Sequence, residues 1–264
     1  MTRIGQVFRR LRLRGEAALI PYFTVGYPRL ALLPELVQAA VDGGADLIEL
    51  GIPFSDPLAD GPTIQAASEK ALAQGVSVRQ VLAQVRLLRR RGVRVPLVLM
   101  TYYNPVLRYG LSRFCRESAA SGADGLIVPD LPPEEAGDLK EQARARGLDL
   151  IFLAAPTSPP ERLKKIARAS TGFLYYVSLT GVTGARRSLP KEAAAQVRRI
   201  RRMTPLPVCV GFGVSRLDQV RELTRAADGV IVGSALLQVI GRAGPHPGPR
   251  VRRFLQRLKR GTHR

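Results

Sequence analysis

Eight short apolar runs, each followed by a loop rich in Gly, Pro or Asp and then by a stretch of helical periodicity, recur along this chain. The runs are 18–24, 47–51, 97–101, 125–129, 148–153, 173–178, 208–211 and 229–232. Most are apolar throughout, as parallel strands covered on both faces are. Helical patterns at 30–42, 77–91, 111–121, 133–146, 159–170, 190–202 and 214–226 separate or follow them, several opening on Pro or a small polar residue. Eight such units in 264 residues leave about 33 residues each, the spacing of a (β/α)8 TIM barrel. A doubly wound α/β sheet is the rival. It would carry a G-x-G-x-x-G turn after the first strand, where this chain has Phe23-Thr24-Val25-Gly26-Tyr27-Pro28. The pattern predicts one barrel domain over 1–264. Residues 1–14 form an extra helix ahead of it, and a basic segment, 241–264, includes the last helix.

The charge is lopsided, with 41 Lys and Arg against 21 Asp and Glu, a net +20, and all but six of the cations are Arg. Such a balance raises nucleic-acid binding as a function. The arginines are scattered over amphipathic helices, however, as in Arg89-Arg90-Arg91 and Arg198-Arg199-Ile200-Arg201-Arg202, with no aromatic residues interleaved for base stacking. Solvated helix faces account for them better. Residues 241–264, with eight Lys or Arg and no acid, are the stretch most suited to an anionic partner, nucleic acid being the less favoured one. Cys115 and Cys209 have no metal-ligand spacing and read as packed thiols. His246 and His263 both fall near the basic end, which disfavours a Ser-His-Asp hydrolase or a His-bound metal. No apolar run approaches the roughly 18 residues of a membrane span. The opening residues carry no apolar signal core, which points to a cytoplasmic protein.

In a barrel of this kind reactive groups sit at the C-terminal ends of the strands. Glu49 lies inside an apolar run. A carboxylate there is either paired with a structural Arg or raised in pKa, and a raised carboxyl suits general acid–base work near neutral pH. Asp60 precedes Gly61-Pro62 and reads either as a helix cap or as a second acid of the site. Glycines cluster at the ends of the last three runs: Gly181 and Gly184, then Gly211 and Gly213, then Gly233 followed by Ser234. One by one they read as tight turns. Together, with the short helical stretch 234–240, they match a recurring barrel phosphate site. No Lys stands at a strand end to form a Schiff base.

The run Leu47-Ile48-Glu49-Leu50-Gly51-Ile52-Pro53-Phe54-Ser55-Asp56-Pro57-Leu58-Ala59-Asp60-Gly61-Pro62 resembles the signature of the tryptophan synthase alpha chain family. Pro28, Thr101-Tyr102-Tyr103-Asn104-Pro105, Pro129-Asp130-Leu131-Pro132, Thr180-Gly181-Val182-Thr183-Gly184, Gly211-Phe212-Gly213-Val214-Ser215 and Val232-Gly233-Ser234-Ala235 follow in the family's order. The resemblance covers about residues 2 to 258. It implies a lyase that cleaves indole-3-glycerol phosphate to indole and glyceraldehyde 3-phosphate, with Glu49 as general acid–base group and Asp60 on the indole N–H. It implies an indole pocket of Tyr22, Ile64, Met100, Ile127 and Phe212, with Tyr175 near the substrate and Thr183 on a closing loop. Gly184, Gly213, Gly233 and Ser234 are then the phosphate site. The resemblance also implies a beta chain carrying pyridoxal phosphate, no cofactor in this chain, and an α2β2 assembly docked through Pro53, an exposed Phe54, Asp56, Pro57 and Asn104. Tyr22 departs from the Phe of many members, and Met100 and Ile127 from their Leu, swaps that nearly conserve volume.

Overall fold

The computed structural model describes residues 1–177, 191–211 and 213–263, without the side chains of 191–193. In chain order the first half runs α1 (Arg3–Leu13), β1 (Ala18–Thr24), α2 (Leu33–Asp42), β2 (Ile48–Gly51), α3 (Pro62–Ala73), α4 (Val78–Arg90), β3 (Leu97–Met100), α5 (Tyr103–Tyr109), α6 (Leu111–Ser121) and β4 (Gly125–Ile127). The second half runs α7 (Gly137–Arg144), β5 (Asp149–Ile151), β6 (Leu153–Ala154), α8 (Pro160–Ala169), β7 (Leu174–Val177), α9 (Lys191–Met203), β8 (Val208–Gly211), α10 (Leu217–Thr224), β9 (Gly229–Val232), α11 (Ser234–Gly241) and α12 (Gly248–Lys259). All strand pairs are parallel, in the order β5-β4-β3-β2-β1-β9-β8-β7-β6.

The expected fifth strand, 148–153, is broken at Phe152. Its amide donates to Ser170 Oγ at 3.3 Å, leaving the ladder, while its carbonyl accepts from the Tyr175 amide at 3.2 Å. The first half of that strand pairs with β4 and the second with β7, so the two halves close the ring. This is an eight-stranded TIM barrel with one strand in two pieces.

Two cores result. Strand residues that point outward, such as Leu19, Phe23, Ile48 and Leu50, pack beneath the helices. Ala18, Ile20, Leu47, Val98, Ile127, Ile151, Phe173, Cys209 and Ile231 fill the barrel interior, and α1 plugs its lower end with Ile4, Val7, Phe8 and Leu11. Cys115 and Cys209 are buried and free. Helices with a strong apolar stripe fall close to their expected positions: α4 buries Val81, Leu82, Val85 and Leu88 behind a Ser77/Gln80 capping box. Two helices were missed. In α3 only Ala67, Ser68 and Ala71 are buried, and α5 buries Val106 alone, so neither carries a clear stripe. The expected 133–146 helix shortens to α7 because the chain through Pro132-Pro133 does not enter the helix.

Parallel strands begin with amides that need acceptors. Aspartates just ahead of alternate strands supply them. Asp46 accepts from the Leu19 amide at 2.8 Å, Asp124 from Leu97 at 2.8 Å and Asp228 from Val208 at 3.0 Å. Each carboxylate also holds a cation from the outer layer: Lys259 at 2.7 Å, Arg89 at 2.5 Å and Arg201 at 3.1 Å respectively. Asp124 takes a further cation, Arg3, at 2.7 Å. Asp124→Ala removes the acceptor of a buried amide and uncovers Arg89, a change expected to lower stability by about 3 kcal/mol. A urea midpoint shift worth less than about 1 kcal/mol would rank the group with ordinary surface pairs.

Candidate active site

At the C-terminal end of the strands a cavity of about 690 Å³ opens to solvent. Side chains alternate along a strand. Two residues past the interior Ile20, Leu47, Val98 and Phe173 therefore come Tyr22, Glu49, Met100 and Tyr175, and these four, with Ile127, form the floor and walls of the cavity. Ile64 lines it from α3, and Asp60 and Gly61 from the loop ahead of that helix. Gly213, Gly233 and Ser234 line the opposite side, Gly233 as the N-cap of α11. A Cβ at Gly213 would meet nothing within 4 Å, so backbone there is open to a ligand. Thr183, Gly184 and Phe212 lie outside the described residues.

Glu49 is 1% exposed, and neither carboxylate oxygen has a hydrogen-bond partner among the described residues. Burial, then the charge of Asp60, pushes its pKa up to about 8. No arginine pairs with it, so the structural ion pair weighed for this residue is absent among the described residues. Burial also raises Asp60, to about 6, against a hydrogen bond with the Tyr102 hydroxyl that favours its ionised form. Nor is Asp60 a helix cap: Gly61 occupies the N-cap of α3, with no side-chain bond to the helix.

Tyr102 is a site residue that sequence reasoning missed. Its hydroxyl accepts from the Ala59 amide at 3.0 Å, so it holds the segment that carries Asp60. Its ring stacks on Phe54 with centroids 5.4 Å apart. The signal was its place in the Thr101-Tyr102-Tyr103-Asn104-Pro105 motif, which by itself names no role. On the other wall Tyr22 accepts from Thr24 Oγ1 at 3.3 Å, and burial beside Asp60 and Glu49 raises its phenol well above the ordinary value. Leu153 and Val177 complete the apolar lining.

The expected docking residues lie in the loops at the rim, with two corrections. Asp56 and Asn104 are exposed, but Pro53 is buried and Phe54 is partly covered by Tyr102 rather than exposed. The exposed apolar side chains near the rim are Leu58, 90% exposed, and Leu107, 53% exposed. A larger hollow of about 820 Å³ lies on the outer wall between α2 and α12. It contains no strand-end residue, and the unpartnered carboxyl marks the smaller cavity as the site.

The profile of the tryptophan synthase alpha chain family matches residues 8–261. The chain belongs to the tryptophan synthase alpha chain family. It is 55% identical over 263 residues to the alpha chain of Roseiflexus castenholzii, covering 99% of this chain and 100% of that one. The alpha chain of Carboxydothermus hydrogenoformans is 50% identical over 91% of this chain and 90% of its own. Among solved structures, tryptophan synthase from Mycobacterium tuberculosis superposes with a TM-score of 0.92 at 44% identity, covering 100% of this chain and 99% of that one. Tryptophan synthase subunit alpha from Legionella pneumophila gives 0.92 at 37% identity, covering 99% and 98%.

A carboxyl whose pKa is raised by folding stabilises the fold fully only below its unfolded value, and that stability is lost as pH rises through the folded one. For Glu49 the window runs from about 4.5 to about 8. The advantage of Glu49→Gln over the parent in thermal stability is therefore expected to be larger at pH 8 than at pH 5, by roughly 3 kcal/mol. A pH-independent difference would mean that Glu49 titrates as an exposed carboxyl.

Proposed function

We propose that Glu49 and Asp60 divide the acid–base work of cleaving indole-3-glycerol phosphate, the reaction of the tryptophan synthase alpha chain. The observation that carries this reading is the buried, unpartnered Glu49 carboxyl facing a second carboxylate across an apolar cavity. With a pKa near 8 it holds a proton at neutral pH, whereas Asp60, near 6, is ionised. Protonated Glu49 delivers its proton to indole C3, and the ring becomes an indoleninium whose positive N–H faces the Asp60 carboxylate. The Glu49 carboxylate then takes the proton from the side-chain hydroxyl. The C–C bond breaks, its electron pair returns to the ring, and indole and glyceraldehyde 3-phosphate leave with Glu49 protonated again.

Tyr22, Ile64, Met100, Ile127 and Tyr175 hold the indole in this reading, with Phe212. Gly213, Gly233 and Ser234, with Gly184, receive the phosphate, where the N-terminus of α11 favours an anion. The rim of Asp56, Pro57, Asn104 and the stacked Phe54 is the docking face for a beta chain carrying pyridoxal phosphate, in an α2β2 assembly. Exposed Leu58 and Leu107 support such a face. This chain needs no cofactor for the proton transfers, and the reaction suits a cytoplasmic enzyme.

The test is indole release from indole-3-glycerol phosphate by the purified chain, with and without a beta chain. Slow release alone and a large rise with the partner are expected. Fast release that the partner leaves unchanged overturns the docking face, and no release in either condition overturns the lyase reading. Glu49→Gln is expected to lower kcat by at least about 10³-fold while still binding substrate, and Asp60→Asn by at least about 10²-fold. The rate should rise with pH through about 6, as Asp60 ionises, and fall through about 8, as Glu49 loses its proton. Tyr102→Phe removes the hydroxyl that favours ionised Asp60. The acid limb is expected to move upward in pH while the alkaline limb stays; an unshifted acid limb would remove Tyr102 from this role.

A further inference from the structure

At the opposite end of the barrel from the cavity, arginines of α1, of α4 and of the segment entering β3 gather around two adjoining hollows of about 350 and 370 Å³. Arg86, Arg89 and Arg90 line the first and Arg10 the second, while Arg3 and Arg94 line both. No acidic and no aromatic side chain lines either hollow. The nearest carboxylate, Asp124, is already engaged by Arg3, Arg89 and the Leu97 amide. Among the described residues no carboxylate lies within ion-pair distance of Arg10, Arg86, Arg90 or Arg94. We propose that this arginine-lined hollow is a binding site for a short polyphosphate chain, free or as the phosphate tail of a nucleotide.

Three features carry the inference. The first is rigidity. Arg89 donates to the carbonyls of Gly122 at 2.9 Å, Val93 at 2.8 Å and Val95 at 2.8 Å, which fixes the centre of the cluster against the barrel floor. The second is crowding: Arg3 and Arg94 share the hollow with Arg89, whose hold on its proton is weakened first by burial and then by these neighbouring cations, and a bound anion would relieve their repulsion. The third is chemistry. Guanidinium forks match phosphate oxygens in pairs, and several forks around a concave surface suit a chain of adjacent phosphates better than a single ion. Without an aromatic ring the hollow offers no stacking platform, so it should read phosphates rather than bases. The site stands apart from the lyase cavity and does not depend on how that cavity is read.

Calorimetric titration with sodium tripolyphosphate tests the proposal. Saturable binding of one tripolyphosphate per chain is expected, with ATP and GTP within about three-fold of each other. The double substitution Arg90→Glu with Arg94→Glu should weaken it at least about ten-fold. Arg252→Glu with Arg253→Glu, an equal charge change on the outer wall, should weaken it less than about two-fold. Both pairs are exposed, so folding should persist. A melting temperature that tripolyphosphate raises in the parent but not in the Arg90/Arg94 variant would confirm the site independently. Indole release should be unchanged in both variants. Absence of saturable binding, equal weakening by the two pairs, a strong preference between ATP and GTP, or a short DNA duplex that displaces tripolyphosphate from the same arginines would each overturn the proposal.

Discussion

The Asp124 carboxylate accepts from the Leu97 amide, Arg89 and Arg3, and with Asp46 and Asp228 it fastens the starts of alternate strands to the outer layer. The ring depends on this fastening, because parallel strands joined by long crossovers have no tight turns to fix their starts. It also sets the polarity of the molecule. At the lower end Asp46, Asp124 and Asp228 have both amide and cation partners, and α1 covers the interior with Ile4, Val7, Phe8 and Leu11. At the upper end the interior row continues into Tyr22, Glu49, Met100 and Tyr175, which line an open cavity among the described residues. These three satisfied charges leave room for the unpartnered Glu49 carboxyl at the other end, since a fold of marginal stability tolerates few such groups.

The strands were legible because both faces of a parallel sheet are covered, so each strand is a continuous apolar run whatever its register. The break at Phe152 was not, because it turns on a hydrogen bond that its amide donates to a residue 18 positions away, Ser170. Glu49 was legible as a carboxyl in the middle of such a run, and its two possible fates, paired or raised, could be separated only by seeing what surrounds it. Asp60 was legible as a residue but not in its environment. A helix start after Gly61-Pro62 is local information, whereas the contact with Tyr102 spans 42 positions and depends on how the loop folds back over β3. The same ring explains Phe54: a chain reading shows an aromatic beside prolines, and only the folded loop shows that Tyr102 half covers it.

Helices separated along the same line. Those with four buried apolar positions on one stripe, such as α4, were visible from periodicity. In α3 the buried positions are Ala67, Ser68 and Ala71, small residues that let it lie close to α11 and β1 beside the cavity. Close approach demands small side chains, and small side chains erase the periodic signal. The helix that sets one wall of the site is for that reason harder to read than those that only cover the barrel.

The charge of the chain sharpens the meaning of Glu49. With 41 cations against 21 acids, partners for a carboxylate are in excess. Asp46, Asp124 and Asp228 each have one, drawn from helices or the segments beside them. Glu49 has none among the described residues: Arg162 of α8 also lines the cavity but is held by Glu134 at 2.7 Å, and the residues around the carboxyl are Tyr22, Met100, Ile127 and Tyr175. Its raised pKa is therefore a product of position in the ring and not of a shortage of cations. A lysine or arginine introduced at that level would pair with it and drive its pKa down, leaving a carboxylate with no proton to give at neutral pH. Keeping cations from the Glu49 carboxyl is thus part of the acid's design, and Arg162, which does line the cavity, is engaged by Glu134 instead.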